Sequence, residues 1–179
     1  PSGETSSYRS NPHRLSEFAL SRKDPAYVGF AKKVRAFEQS RLAGEGGFAH
    51  GEARCPIDTI NRIPGFEQVD EDQIGIGTLV YANKPGDGSA REQAASCQKV
   101  LGGWANIARE YATKRYRSNL INWGMLPFVI DGEPPFGKYD TVFIPHIRRA
   151  VMEKRDQITA YALSRDEQGV YLALSLLTA

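Results

Sequence analysis

The sequence has few cysteines and no long apolar run. Nothing in it approaches the ~20 consecutive apolar residues that a membrane helix needs, and no basic segment followed by an apolar one marks a signal peptide. The chain has 2 cysteines, too few for a disulfide scaffold, and no CxxC or HxxxH spacing offers a metal site. We therefore expect a cytoplasmic fold with reduced cysteines, no membrane partner and no metal held by this chain.

The sequence also lacks a strong charge of either sign. Its 23 Lys and Arg residues against 21 Asp and Glu give a net charge of +2, too small by itself to argue for a nucleic-acid partner. With 179 residues, 41% apolar and 25% charged, the composition is that of one globular domain. Because the chain starts without methionine and stops on an apolar run, we interpret residues 1–179 as a fragment of a larger protein.

The apolar pattern predicts an α/β fold. Helices are expected near 13–21 and over 24–47, the latter with Asp24 as its N-cap and Pro25 at its first position, and residues 48–73 are expected to be irregular surface chain. Beyond them the predicted elements alternate: strand 74–83, helix 90–101, strand 104–108, helix 110–124, strand 125–130, loop 131–140, helix 145–158 and strand 169–177. This alternation indicates a parallel or mixed sheet flanked by helices, with 74–83 inside it and Trp104 and Trp123 in the core.

Residues 86–95, GDGSAREQAA, form the corner between the first of these strands and its helix. The spacing of Ser89 and Glu92 fits a capping box, in which the hydroxyl accepts from the Glu92 backbone N–H. Gly86 and Gly88 allow a tight turn and a close approach of ligand to backbone.

A capping box alone has no use for Arg91, which follows in the first helical turn. A guanidinium and a free helix N-terminus together favour a carboxylate or a phosphate. The corner is not a Walker loop, because no Gly-Lys-Ser/Thr follows the glycines, and it is not G-x-S-x-G. The sequence therefore predicts an anion site with a hydroxyl beside it.

The corner resembles the G-x-G-S-S-R-E-H-A-A signature of the swivelling domain of aconitases and isopropylmalate isomerases. Residues 102–112 (GGWANIAREYA) continue the match, and residues 117–128 (RSNLINWGMLPF) are similar to the family's R-S-N-L…G-x-L-P segment. Upstream, residues 8–12 (YRSNP) resemble the arginine-bearing segment of that domain. The resemblance covers roughly residues 1–130 and leaves 131–179 as a C-terminal extension.

The resemblance implies a swivelling β/β/α-type domain and a set of roles. Ser89 would be the base that removes the proton α to a carboxylate. Arg91 and Arg9 would bind substrate carboxylates, and Gly88 and the backbone N–H of Ala90 would face the substrate. The implied reaction is the reversible dehydration of a hydroxy di- or tricarboxylic acid such as citrate.

The chain departs from the family signature at three positions. Ala90 stands where the signature has a second serine, Gln93 where it has histidine, and Tyr116 where a histidine is common. These changes point to a divergent branch and leave the identity of the hydroxy acid open.

The resemblance also implies a [4Fe–4S] cluster, whose open iron takes the leaving hydroxyl. Such a cluster needs three cysteine thiolates, so this chain, with 2 cysteines, is expected to depend on a cluster-bearing domain or partner subunit and to be inactive alone.

Two alternatives remain. The chain could be an isopropylmalate isomerase small subunit, or a non-catalytic module that binds RNA or carboxylates. The basic run at 109–120 favours a solvated helix face over an RNA site, so a nucleic-acid partner is not expected.

Overall fold

The structure is a computed structural model that describes residues 3–44, 57–163 and 171–178. The chain divides into two compact units. Unit 1 consists of Pro1–Ala53 and Ile76–Pro127, and unit 2 consists of Arg54–Gly75 and Phe128–Ala179.

Unit 1 carries the alternating strands and helices. Its elements are a 3-10 helix at Gly3–Tyr8, α1 at Pro12–Ser16, α2 at Tyr27–Leu42, β1 at Thr78–Ala82, α4 at Arg91–Val100, β2 at Gly103–Ala108, α5 at Lys114–Asn122 and the start of β3, Leu126–Val129. (The short helix α3, Ile57–Ile60, belongs to unit 2.) The strands lie in the order β1-β2-β3, and β1 is parallel to β2, with Leu79 opposite Ala105. Helices connect β1 to β2 and β2 to β3, as a parallel arrangement requires.

Two apolar clusters hold α4 in place. On one side, Cys97 of α4 and its C-cap residue Leu101 are buried with Leu15 of α1 and Ala31 of α2. On the other, Ala95 of α4 is buried against Tyr116 and Leu120 of α5. Because both sides of α4 are packed, its first turn, which carries the predicted site, has a fixed position next to the first turn of α5.

Unit 2 is an antiparallel arrangement. It contains α3 at Ile57–Ile60, a 3-10 helix at Glu71–Gln73, the end of β3, β4 at Thr141–Phe143, α6 at Ile147–Met152, β5 at Gln157–Leu163 and β6 at Tyr171–Thr178. The strand order is β3-β6-β5-β4, and each neighbouring pair is antiparallel. Ile60, Ile63 and Leu163 form its buried cluster.

The α/β class and the mixed sheet are confirmed, and several details are corrected. The helix expected from Asp24 begins at Tyr27, with Ala26 at the cap and no side-chain hydrogen bond there. The strand expected inside the sheet, β1, lies at one end of the strand order in the described chain, and four of its five residues are half-buried. Trp104 and Trp123 are 44% and 37% exposed, not in the core.

The C-terminal part of the chain was less predictable. The helix expected over 145–158 shrinks to α6, and β4 and β5 flank it. From Gln157 to Ala162 of β5, buried residues alternate with less buried ones, which is strand rather than helix periodicity. Ile60 and Ile63 are buried although their segment was expected at the surface, and 45–56 lie outside the described residues. None of the helices within the described residues has both the length and the apolar character that a membrane span requires.

Candidate carboxylate site

The corner between β1 and α4 is held by the start of α5. Gly86 has φ +96°, a backbone conformation that favours glycine, and a Cβ at this position would lie 2.5 Å from the Cβ of Tyr116. The Thr113 hydroxyl donates to the Gly86 carbonyl over 3.1 Å. The same hydroxyl oxygen accepts from the Tyr116 backbone N–H as the N-cap of α5. The turn that leads to Ser89 is thus fixed by residues 113 and 116.

The predicted capping box does not form. Helix α4 begins at Arg91 with Ala90 at the cap and no side-chain cap hydrogen bond. The Glu92 backbone N–H, which the sequence assigns to the Ser89 hydroxyl, faces the Asn119 side chain instead. It donates to Oδ1 over 3.0 Å with the Asn119 amide oriented so that its oxygen lies towards this N–H. The Glu92 carboxylate accepts from the indole N–H of Trp123, also over 3.0 Å. A tertiary contact has replaced the local one.

Because the capping box is absent, the Ser89 hydroxyl is available to a ligand. Ser89 is exposed, and its hydroxyl makes no hydrogen bond to any residue within 3–44, 57–163 or 171–178. It lies on an open pocket of about 360 Å³ within unit 1. The residues that line this pocket, called the corner pocket below, are Ser89, Arg91, Glu92, Lys114, Arg115, Ser118 and Asn119.

The corner pocket is rich in unpaired positive charge. Arg91, Lys114 and Arg115 line it, and none of the three has an ion pair with a described residue. Glu92 is the one carboxylate among the lining residues, and it bonds Trp123. Three cations around a small cavity repel one another, and an anionic ligand relieves that repulsion. The arrangement therefore suits an acid with more than one negative charge.

The other predicted site residues have different surroundings. Gly88 is exposed, and a Cβ there would meet no atom within 4 Å. Ala90 is half-buried at the cap of α4. Arg9 is exposed in the turn between the 3-10 helix and α1, and it does not line the corner pocket. The structure thus brings Ser89 and Arg91 to one pocket and leaves Arg9 outside it.

A buried tyrosine lies directly behind the turn. The Tyr116 hydroxyl accepts from the side-chain amides of Asn106 and Gln98, over 3.2 and 3.4 Å. Burial raises the pKa of this phenol, so it stays protonated and neutral. Tyr116 therefore supports the turn at Gly86 as a packing and hydrogen-bonding residue.

The described residues do not fit an iron–sulfur cluster. They include no group of three or more His, Cys, Asp or Glu side chains that could hold a metal ion. Cys97 of α4 is fully buried against α1 and α2. Burial raises the pKa of its thiol to about 11, so the thiolate form that binds a metal is disfavoured. Cys55 lies outside the described residues.

Sequence reasoning missed four residues of the pocket: Lys114, Arg115, Ser118 and Asn119. Two of them belong to the R-S-N-L segment at 117–120, which was recognised without a role. Lys114 and Arg115 belong to the basic run that was interpreted as a solvated face. Only the packing of α5 beside α4 shows that all four reach the same cavity as Ser89.

The fold and the pocket define an α/β domain with a pocket lined by basic side chains where a strand leads into a helix. Residues 63–133 match the family model of the aconitase C-terminal domain. This match confirms the resemblance to the C-terminal domain of aconitases and isopropylmalate isomerases over that segment, and it supports an aconitase-family hydratase domain in general terms. The segment contains every lining residue of the corner pocket, whereas Arg9 lies outside it. No curated protein matches the chain.

Proposed function

We propose that the chain is the substrate-binding and base-supplying domain of an aconitase-like hydro-lyase acting on a hydroxy di- or tricarboxylic acid. The observation that carries this proposal is that the Ser89 hydroxyl, free of protein partners in the described chain, shares an open cationic pocket with Arg91. The family match supports hydratase chemistry in general, and the pocket supports these two residues as its agents.

Binding comes first in the proposed mechanism. Arg91 begins α4, so its guanidinium and the helix N-terminus both attract a substrate carboxylate. A guanidinium can take a carboxylate through two parallel hydrogen bonds, which fixes the orientation of the carbon next to it. Substrate held in this way presents its α C–H bond to a neighbouring group on the same pocket.

Ser89 is the proposed base. After its own proton has passed to solvent, the serine alkoxide takes the α proton and becomes a hydroxyl again. The C–H electron pair becomes the new C=C bond, and the hydroxyl on the adjacent carbon departs with the C–O electron pair and takes a proton from solvent to become water. A serine is a poor base unless its alkoxide is stabilised, and the three cations of the corner pocket supply positive potential for this. Departure of the hydroxyl is assigned to a cluster-bearing domain or partner subunit, because the described residues offer no cluster ligands.

The test is Ser89→Ala in the enzyme assembled with its cluster-bearing part. Loss of a positioned base should lower kcat about 100-fold to 10,000-fold, with little change in KM. Ser40→Ala is the matched control, because Ser40 is an exposed serine on α2 outside the corner pocket. A Ser89→Ala enzyme that keeps more than half of the wild-type kcat would remove Ser89 from the mechanism.

Arg91→Lys separates binding from chemistry. Lysine keeps the charge but loses the planar two-point contact, so KM should rise about tenfold with a smaller effect on kcat. An unchanged KM would contradict the role of Arg91 in carboxylate binding and leave the role of Ser89 standing.

A further inference from the structure

We propose that Lys114 and Arg115 form a second carboxylate subsite in the corner pocket, so that a ligand bridges this pair and Arg91 through two of its carboxylates. The inference rests on the proposed function and extends it by naming residues that select polycarboxylates over monocarboxylates. It also places a second group of carboxylate-binding residues within this chain, in a pocket that Arg9 does not line.

The first argument comes from which polar groups are already in use. The Asn119 side chain bonds the Glu92 backbone N–H and the Arg115 carbonyl. The Ser118 hydroxyl donates to the Lys114 carbonyl over 3.0 Å. The Glu92 carboxylate accepts from Trp123. What remains for a ligand is the Ser89 hydroxyl and three cationic side chains.

The second argument comes from the position of the cations on their helices. A helix N-terminus carries a partial positive charge, so a cation there is unfavourable by roughly 0.3–1 kcal/mol. Nevertheless, α5 begins with Lys114 and Arg115 and has no acidic residue in its first turn. Helix α4 begins with Arg91, but its first turn also carries the acidic Glu92. The two cations at the start of α5 are therefore the ones that are poorly placed for stability, and a bound polyanion turns them into favourable contacts.

The third argument concerns the size of the ligand. A volume of about 360 Å³ is near the lower end of the range for ligand pockets. Such a pocket suits a small acid with two or three carboxylates. It is less suited to an RNA strand, which follows an extended basic groove with aromatic stacking surfaces.

The experiment compares three probes that differ in carboxylate number: propanoate, succinate and tricarballylate. Dissociation constants are measured for the full 179-residue chain at low ionic strength by following backbone amide shifts. Wild-type protein should bind succinate at least tenfold more tightly than propanoate, because one more charge-assisted contact is worth about 1.5 kcal/mol. Tricarballylate should bind at least as tightly as succinate.

The Lys114→Ala/Arg115→Ala variant should lose this preference. Its affinity for succinate should fall to within threefold of that for propanoate, while propanoate binding at Arg91 weakens less than threefold. Both residues are exposed and alanine is a good helix former, so the fold is expected to persist. Lys114→Gln/Arg115→Gln, which keeps the side-chain length, should behave in the same way.

Lys32→Ala/Lys33→Ala is the control for net charge, because it removes an adjacent pair of exposed lysines from α2, outside the corner pocket, where Lys32 is paired with Glu17. It should retain the wild-type preference for succinate within twofold. Equal loss in both double variants would mean that general charge, rather than a subsite, attracts the ligand, and would overturn the inference.

Other outcomes separate this inference from the proposed function. Succinate that binds wild-type protein no better than propanoate contradicts the second subsite and leaves Ser89 and Arg91 untouched. If propanoate still binds the Arg91→Ala variant, the proposed role of Arg91 is contradicted. The second subsite would still be supported in that case if Lys114→Ala/Arg115→Ala loses the preference for succinate. A single-stranded RNA that displaces succinate at a lower concentration than tricarballylate does would overturn the inference in favour of a nucleic-acid site.

Discussion

Each unit of the molecule carries a group of basic side chains around a short helix, and the two groups are arranged differently. In unit 2, Glu153 accepts from Arg149 over 2.6 Å and from Arg155 over 2.7 Å. In unit 1, Arg91, Lys114 and Arg115 share a pocket and have no ion pair within the described chain. Arg149 and Arg155 are thus neutralised within the chain, whereas the three cations of the corner pocket are left to be neutralised by a ligand.

The helix ends show the same contrast. Arg149 lies in the last turn of α6, where the negative end of the helix dipole favours a cation. Lys114 is the first residue of α5, where the dipole disfavours it. Arg149 is therefore placed where the helix dipole favours it, and Lys114 is not. Such a departure from local stability is typical of a functional site.

The largest predicted effect on stability concerns the turn that supports the pocket. Gly86→Ala should lower the free energy of unfolding by about 3 kcal/mol, since an alanine is strained at φ +96° and its Cβ would overlap that of Tyr116. Urea denaturation measures this difference. Gly88→Ala is the control, because the space there is open, and its effect should stay within about 0.5 kcal/mol. Equal effects at the two glycines would refute the account of how Ser89 is positioned.

A second prediction concerns alkaline pH and the core of unit 1. Burial raises the pKa of Tyr27 from 10.0 to about 12. Since the folded state holds this proton more tightly than the unfolded state, the contribution of Tyr27 is complete below pH 10.0 and is lost as pH rises towards about 12. The loss is at most about 2–3 kcal/mol, because one pKa unit is worth about 1.4 kcal/mol.

Tyr27→Phe should flatten this alkaline decline. Cys97, whose pKa burial raises to about 11, should keep part of the slope in the variant. Urea unfolding at pH 8, 10 and 11 provides the measurement, with Tyr139→Phe as the exposed control. A Tyr27→Phe protein that loses stability above pH 10 as steeply as wild type would show that Tyr27 is not the source of the slope.

The smallest predicted effect tests the comparison between the two units directly. Arg149 and Arg155 hold the pKa of Glu153 below its ordinary value. The stabilisation from these ion pairs is therefore complete above the ordinary pKa and is lost as pH falls through the lowered pKa. Glu153→Gln removes the ion pairs with Arg149 and Arg155. Because these pairs lie on an exposed surface, the urea concentration at the midpoint of unfolding should hardly change. Succinate should still cause no saturable shift in Ile147–Met152. Tight binding there would show that free cations suffice without a pocket.

The sequence predicted those parts of the site that depend on neighbours in the chain. Ser89 and Arg91 follow a glycine turn after an apolar strand, and a strand-to-helix corner places such residues together whatever the rest of the fold does. Lys114 and Arg115 join them only because α5 packs beside α4 through Ala95 and Leu120. That contact depends on tertiary packing, which periodicity does not report.

The errors have similar physical causes. The S-x-x-E pattern predicted a capping box, but Asn119 and Trp123 compete successfully for the groups of Glu92. Trp123 is exposed because its indole reaches that carboxylate instead of the core. The short strand β4 has three residues, too few to show an alternation, so it could not be recognised before its partner β5 was known.

The most direct test of the central claim is an amide chemical-shift titration of the wild-type chain with tricarballylate. If the corner pocket is a polycarboxylate site, saturable shifts will be confined to residues 89–92 and 114–119, and α6 will stay unchanged. Shifts of equal size along α6, or none at 89–92, would contradict the account.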